Sequence, residues 1–416
     1  MAIVQPILGL AGLLLVAWAF SEDRRRFPFR WALGALAVQI ALAALFLRAP
    51  PLQDALGVAG SAVQALERAS RAGSSFIFGY LGGAPVPFEL KPGASTFIIA
   101  FEILPIILVT AALAALAWHW RILPAAIRLL GMALQKSLGV GGAVAFGVAA
   151  NFFLGVVESP LVIRNYLAKM SRGEIFAIMV AGLATISGAV LVLYASVIEG
   201  VVPGATGHIL TASLISLPAA LLFARVMVPD NGRTEGEAID QAIRYDNSLD
   251  ALVHGVEDGL KVFLSVMAML IVVFALVHLA NEALALVGEV AGAPLTVSRI
   301  FGWMFAPLVV LFGVPAHEAL VAGQLMGSKA ILNEFIAYQQ LASLETGALS
   351  PRSMTIMTYA LCGFSNLGSI GLQLSTLSAL APARRGEFAA LGWRAFLAGN
   401  LATGATAAVA ALTLPG

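Results

Sequence analysis

Two glutamates lie where glutamate is expensive. Glu158 sits in the run Asn151-Phe152-Phe153-Leu154-Gly155-Val156-Val157-Glu158-Ser159-Pro160, and Glu334 follows Lys329-Ala330-Ile331-Leu332-Asn333. Both runs are otherwise apolar, and an ionisable side chain in such a setting marks a solute or ion path by default. Gly155 and Pro160 open the helix around Glu158, which frees backbone groups that are tolerated only where they line a cavity. The plain alternative is an internal ion pair, with Arg164 for Glu158 or Lys329 for Glu334; Lys329 is badly spaced for that unless the helix breaks between the two. Two separated carboxylates and a buried asparagine suit a polyhydroxylated solute, such as a sugar or ribose, better than a flat hydrophobic one.

Two further apolar runs are interrupted, at Thr185-Ile186-Ser187-Gly188 and at Phe364-Ser365-Asn366-Leu367-Gly368-Ser369. Unwound carbonyls beside a hydroxyl or an amide form a natural cation site, although Ser and Thr also bond back to the preceding turn of unbroken helices. His317-Glu318, after Gly313-Val314-Pro315, reads as a proton site or as the polar tip of a hairpin. The sequence contains no G-x-x-x-x-G-K-[ST] loop, no G-x-S-x-G elbow and no H-E-x-x-H pair, so an enzyme is not expected.

The elements that must position these residues follow from composition. Of 416 residues, 60% are hydrophobic and 11% charged, against about 25% charged in a soluble domain. A soluble fold, a secreted module and a disordered chain are thereby excluded. The 24 basic and 23 acidic residues balance, so nothing points to nucleic acid. One cysteine, Cys362, excludes an internal disulfide and a thiolate cluster. A helix needs about 20 apolar residues to span a bilayer, and apolar runs at 3–20, 31–47, 95–118, 205–228, 253–285 and 388–413 meet or approach that length. Residues 50–92 mix Glu67, Arg68 and Arg71 with apolar positions and read as interfacial helices.

Short, Gly/Pro-interrupted segments recur at matching places in two halves, the best sequence pointer to a transporter's binding site. The expected segments are scaffold and interfacial helices over 1–121, a first half of the transport domain over 122–228, a polar cytoplasmic linker over 229–250, a long scaffold helix over 251–290 and a second half over 291–416. Placing the 21–30 loop inside puts Arg121, Arg128, Lys136, Arg164, Lys169, Arg172, Arg225, Arg233, Arg244, Arg384 and Arg385 on or near that side, with both termini outside.

At these residues the chain resembles the concentrative nucleoside transporter family. The strongest match is Gly327–Tyr338, a small residue, x, Lys, three residues, then Asn-Glu-Phe-Ile-Ala-aromatic, with Ile336 where the family has Val. Ala149-Ala150-Asn151, Glu158-x-Pro160-Leu161-Val162, Leu361-Cys362-Gly363-Phe364-x-Asn366 and Leu380-Ala381-Pro382-x-Arg384-Arg385-Gly386 follow in family order. The resemblance implies an all-α polytopic protein of a cell (inner) membrane, with about eight transmembrane helices, two re-entrant hairpins and interfacial helices. It also implies an inverted-repeat transport domain that moves like an elevator, and a homotrimer. It implies sodium-coupled nucleoside import, with proton coupling through Glu158, Glu334 or His317, or a modified nucleoside or other ribose-containing solute, as alternatives. By position, Glu334, Asn366 and Ser369 would contact ribose, Phe364 and Val190 would line the pocket, and Gly155 and Glu158 would form the base-side hairpin tip. Asn151, Leu154, Thr185 and Ile186 would hold sodium, Leu154 and Ile186 through their carbonyls. One departure stands out: the family's Gly-Gln-Thr/Ser-Glu tip is here Gly155-Val156-Val157-Glu158, and an apolar wall discriminates weakly between polar bases.

Overall fold

The computed structural model describes residues 4–91, 96–230, 232–236, 243–290 and 292–414. Positions 231 and 237–242 of the expected polar linker, and position 291 at the start of the last expected segment, lie outside the described residues.

The chain opens with α1 (Val4–Ala19) and α2 (Phe29–Arg48), joined by the charged loop Glu22–Arg26. One continuous amphipathic helix, α3 (Pro50–Phe78), then takes up most of the segment expected to hold several interfacial helices; proline at its first position costs no hydrogen bond there. The span expected over 95–118 is interrupted: a single turn, α4 (Ile99–Glu102), precedes α5 (Ile106–His119), with Pro105 between them. Next come α6 (Ile122–Leu138) and the first of two matching blocks.

In that block α7 (Gly142–Leu154) turns back through the short α8 (Ser159–Val162) and α9 (Arg164–Leu167) to make a helical hairpin. A broken helix follows, α10 (Arg172–Ala184) and α11 (Gly188–Ile198), and then an intact one, α12 (Ala205–Met227). The long α13 (Ser248–Ala285), a two-stranded ribbon (β1, Glu289–Val290; β2, Ala293–Pro294) and α14 (Val297–Leu311) separate the blocks. The second block repeats the order: hairpin α15 (Ala319–Ile331) and α16 (Glu334–Ala342), broken helix α17 (Pro351–Leu361) and α18 (Leu367–Leu380), intact helix α19 (Arg385–Thr413). At 13 residues, α7 and α15 reach about 20 Å, short of the roughly 30 Å hydrocarbon core.

Five helical stretches among the described residues are long and apolar enough to cross a membrane: Phe29–Arg48, Ile99–His119, Ala205–Met227, Ser248–Ala285 and Pro382–Thr413. Burial separates them. The apolar windows of α12 and α19 are 83% buried, whereas that of α13 has no buried residue. α12 and α19 pack on each other at the centre, where alanines, glycines and threonines let backbones approach. Two of their hydroxyls meet across the pair: Ser216 Oγ and Thr406 Oγ1 are 2.9 Å apart, and Thr406 also donates to Ala402 O at 3.0 Å. Peripheral α13 packs on α5 through Gly255 and Gly259, whose missing side chains bring it against Leu108, Ala111 and Ala112. α1 and α2 lie against α12 and α19.

α1 also crosses α14 at Gly9, where an added Cβ would overlap the carbonyl of Leu311. Gly9→Ala is expected to cost about 1–3 kcal/mol through overpacking, read as a lower melting temperature of the detergent-solubilised protein. An unchanged melting temperature would show that the two helices separate freely.

Candidate functional site

The second hairpin breaks at Leu332-Asn333. Asn333 is extended, and its Oδ1 accepts from Ile336 N at 2.9 Å, an N-cap that starts α16 at Glu334. The Glu334 carboxylate therefore sits at the positive end of a half-helix. It is 5% exposed, Oε1 accepting from the Tyr194 hydroxyl at 2.6 Å and Oε2 from Asn366 Nδ2 at 2.8 Å. Asn366 caps a second half-helix, its Oδ1 accepting from Ser369 N at 2.8 Å. One carboxylate is thus held by the tip of hairpin two, the middle of α11 and the start of α18. Val190 lies one turn before Tyr194 on α11 and is buried, while Phe364 and Ser369 are partly exposed on either side of Asn366.

The first hairpin ends α7 at Leu154 and turns at Gly155, which has φ 98° and ψ −175°. Only glycine adopts that region freely. A Cβ on Gly155 would stand 2.8 Å from Ser187 Cβ and 3.8 Å from Glu158 Oε2, so the tip seats directly on the break between α10 and α11. Val156 points into that seam, its Cγ2 3.1 Å from where a Cβ of Gly182 would be; Val157 and Glu158 are half-buried.

Beneath the tip, Asn151 Nδ2 donates to Ala181 O at 3.0 Å and to Thr185 Oγ1, while its Oδ1 accepts from Ser159 Oγ at 3.2 Å. Thr185 donates in turn to Ala181 O at 2.9 Å. Asn151 Oδ1 and Thr185 Oγ1 are neutral oxygens, and the nearby Ile186 O accepts from Ser213 Oγ at 3.5 Å. Such a set suits a hard alkali cation and not a transition metal. Among the described residues no group of three His, Cys, Asp or Glu could hold a metal ion.

The two breaks are stitched together. Phe364 N donates to Thr185 O at 3.2 Å, Ser365 Oγ to Leu183 O at 2.7 Å, and Asn400 Nδ2 to Ser365 O at 3.2 Å. Thr185 therefore offers its side chain to the Asn151 cluster and its carbonyl to the segment carrying Phe364 and Asn366. Cys362, in the second break, is fully buried and directs its thiol to Ile209 O at 3.7 Å.

The remaining sequence candidates lie elsewhere. His317 is 80% exposed and stands beside Glu318, at the opposite end of α15 from Glu334. Glu318 accepts from Ser350 N and Oγ at 3.1 and 3.2 Å, which ties hairpin two to the start of α17. Glu102 pairs with Arg71 at 2.7 Å. Lys329 does not pair with Glu334: its Nζ donates to Ala360 O at 2.9 Å and to Thr403 Oγ1 at 2.7 Å. Sequence reasoning missed Tyr194, whose only signal is a phenol placed one turn after Val190 in an apolar helix. It also missed Gln373, which donates to Met179 O at 3.1 Å and reaches the Val156 seam at Gly182.

Comparison with known proteins agrees with this architecture. Family models for the N-terminus and C-terminus of the Na+-dependent nucleoside transporter match residues 8–81 and 208–411, and a nucleoside recognition (gate) model matches residues 100–200. The nucleoside permease NupC of Helicobacter pylori is 35% identical over 98% of this chain and 96% of its own length. The putative nucleoside permease NupX of Escherichia coli is 32% identical over 99% and 98%. The structure of CNTnw in an inward-facing, substrate-bound state superposes with a TM-score of 0.90 at 35% identity, covering 99% of this chain and 98% of that one. With paired hairpins, paired broken helices and these matches along its length, the chain belongs to the Na+-dependent nucleoside transporter family and is a multi-pass membrane transporter, not an enzyme.

Proposed function

We propose that the chain is a sodium-coupled nucleoside symporter that imports its solute across a cell membrane, the inner membrane in bacteria. The observation that carries this reading is the Glu334 carboxylate, buried between Tyr194 and Asn366 where a hairpin tip meets two half-helices. A carboxylate with acceptor capacity to spare, beside a capping amide, is suited to the vicinal hydroxyls of a ribose. Glu334, Asn366 and Ser369 bind the sugar, Phe364 and Val190 line the pocket, and the Gly155–Glu158 tip faces the base. Val156 and Val157 give that tip an apolar surface, so recognition of the base rests less on hydrogen bonds from the tip than on shape and on Glu158.

Sodium supplies a positive charge at the end of α10. Asn151 and Thr185 would hold it with their side chains, Leu154 and Ile186 with their carbonyls. Their neutral oxygens support the assignment, as does the negative end of the α10 dipole. The hairpins are re-entrant and travel with the broken helices and with α12 and α19 as an elevator-type transport block, against a stationary pair made of α5 and α13. The bare apolar face of α13 fits a homotrimer whose subunits meet at the scaffold.

Uptake of labelled uridine and adenosine into proteoliposomes tests this, with and without an inward sodium gradient at constant pH. Sodium-driven accumulation supports the reading; accumulation driven only by a proton gradient replaces the ion; no movement of either nucleoside overturns the solute. Asn151→Leu removes three hydrogen bonds and the amide oxygen while keeping the volume. It is expected to abolish the response to the sodium gradient, leaving uptake in sodium close to the rate in choline.

A further inference from the structure

The two blocks repeat the same elements in the same order, and they treat equivalent helix ends differently. In the first, Asn151 in the last turn of α7 reaches Ala181 O in the last turn of α10, beside the break at Thr185. In the second, Lys329 in the last turn of α15 reaches Ala360 O in the last turn of α17, beside the break at Cys362. Both carbonyls belong to the C-terminal end of a half-helix, where unsatisfied oxygens and the negative pole of the dipole gather. Such an end inside a membrane protein attracts a cation. At the end of α10 the residues are neutral and the cation must come from solution. At the end of α17 the chain places a lysine: the Lys329 side chain is fully buried, and its Nζ also donates to Thr403 Oγ1 of α19 at 2.7 Å.

We propose that Lys329 is a built-in cation of the second block, standing where the first block takes up sodium, so that one sodium ion accompanies each solute. This rests on the sodium reading above. An ammonium and a sodium ion carry the same charge and are satisfied by the same kind of oxygen. The difference is that the lysine cannot leave, so the second broken helix stays closed at this point whatever the ion supply. Lys329 is in this sense a positioning residue: it fixes α15, α17 and α19 to one another and touches no solute.

The test uses the full chain. Melting temperature in detergent is followed as choline is replaced by sodium, sodium binding per chain is measured at equilibrium, and charge moved per uridine is measured in proteoliposomes. The wild-type chain is expected to bind one sodium ion, to titrate with a Hill coefficient near one and to move one positive charge per uridine. Lys329→Met removes the cation and leaves no oxygen in its place; its melting temperature should fall by more than about 5 °C, and sodium beyond the wild-type response should not restore it. Lys329→Ser opens a space lined by Ala360 O, Thr403 Oγ1 and a new hydroxyl. High sodium, and not choline, should restore its melting temperature, and binding should rise toward two ions per chain. Two charges per uridine in the wild type would overturn the proposal, as would Lys329→Met melting like the wild type or Lys329→Ser gaining no sodium dependence. If the wild-type chain moves uridine but shows no sodium response, the sodium reading fails first and the ion count falls with it. Sodium-driven uptake carrying two charges fails the Lys329 assignment alone.

Discussion

Glu334→Ala is expected to lower nucleoside uptake at least about a hundredfold, since each hydrogen bond to a charged group contributes about 1.5–3 kcal/mol. Two such bonds to solute hydroxyls, lost together, account for that factor or more, at about 1.4 kcal/mol per tenfold. The substitution also leaves the Tyr194 hydroxyl and the Asn366 amide facing an apolar hole. The fold should survive it. α16 is capped by Asn333, and the cap of α18 uses Asn366 Oδ1, not the Nδ2 that meets the carboxylate. Glu334→Gln keeps an acceptor but loses the charge, so it should lie between the two. Tyr194→Phe, which removes one donor and leaves the carboxylate, should cost about tenfold or less. The measurement is initial uptake rate against solute concentration, with circular dichroism on the same preparations. Uptake by folded Glu334→Ala at the wild-type rate would remove the carboxylate from the solute path.

The second large effect is expected at Gly155. Its φ of 98° with ψ of −175° costs any other residue about 1–3 kcal/mol. A methyl group would in addition stand 2.8 Å from Ser187 Cβ, well inside the 3.5–4.0 Å at which carbon atoms meet comfortably. Gly155→Ala should therefore keep hairpin one from seating on the break between α10 and α11. Apparent affinity for sodium and for nucleoside should fall together, each by about tenfold or more, the factor that 1.4 kcal/mol sets. Adding Ser187→Gly removes the collision but not the backbone strain, so the double variant should recover part of the loss and not all of it. A single variant with wild-type affinities would show that the tip does not close in the way its geometry indicates.

Much of this arrangement was legible in the sequence, because membrane proteins announce their irregularities. A glutamate, a glycine and a proline within six residues of an apolar run cannot be lipid-facing helix, and the tip at Gly155–Pro160 is where the structure turns. The same holds for Asn333-Glu334 and for the breaks at 185–187 and 362–366. What was illegible depends on distance along the chain. Tyr194 meets Glu334 across 140 residues, and nothing local distinguishes it from a tyrosine that merely fills space. In sequence Lys329 stands near Glu334, but it is used by Ala360 and Thr403, contacts that only tertiary packing creates. His317 looked chemical because of the residue beside it, yet it faces outward at the far end of α15. Gly255 and Gly259 carry no local signal within a long apolar run, yet they let α13 lie against α5.

The chain has one thiol, and that thiol is shut inside the second helix break with no exposed surface. A cysteine introduced on any outer face is therefore the only one a bulky maleimide reaches quickly, with no need to strip the protein of native cysteines first. Cys362 itself becomes a clock. Its Sγ is buried against Ile209 O of α12, so a small alkylating reagent can react only at the frequency with which the packing around the break opens.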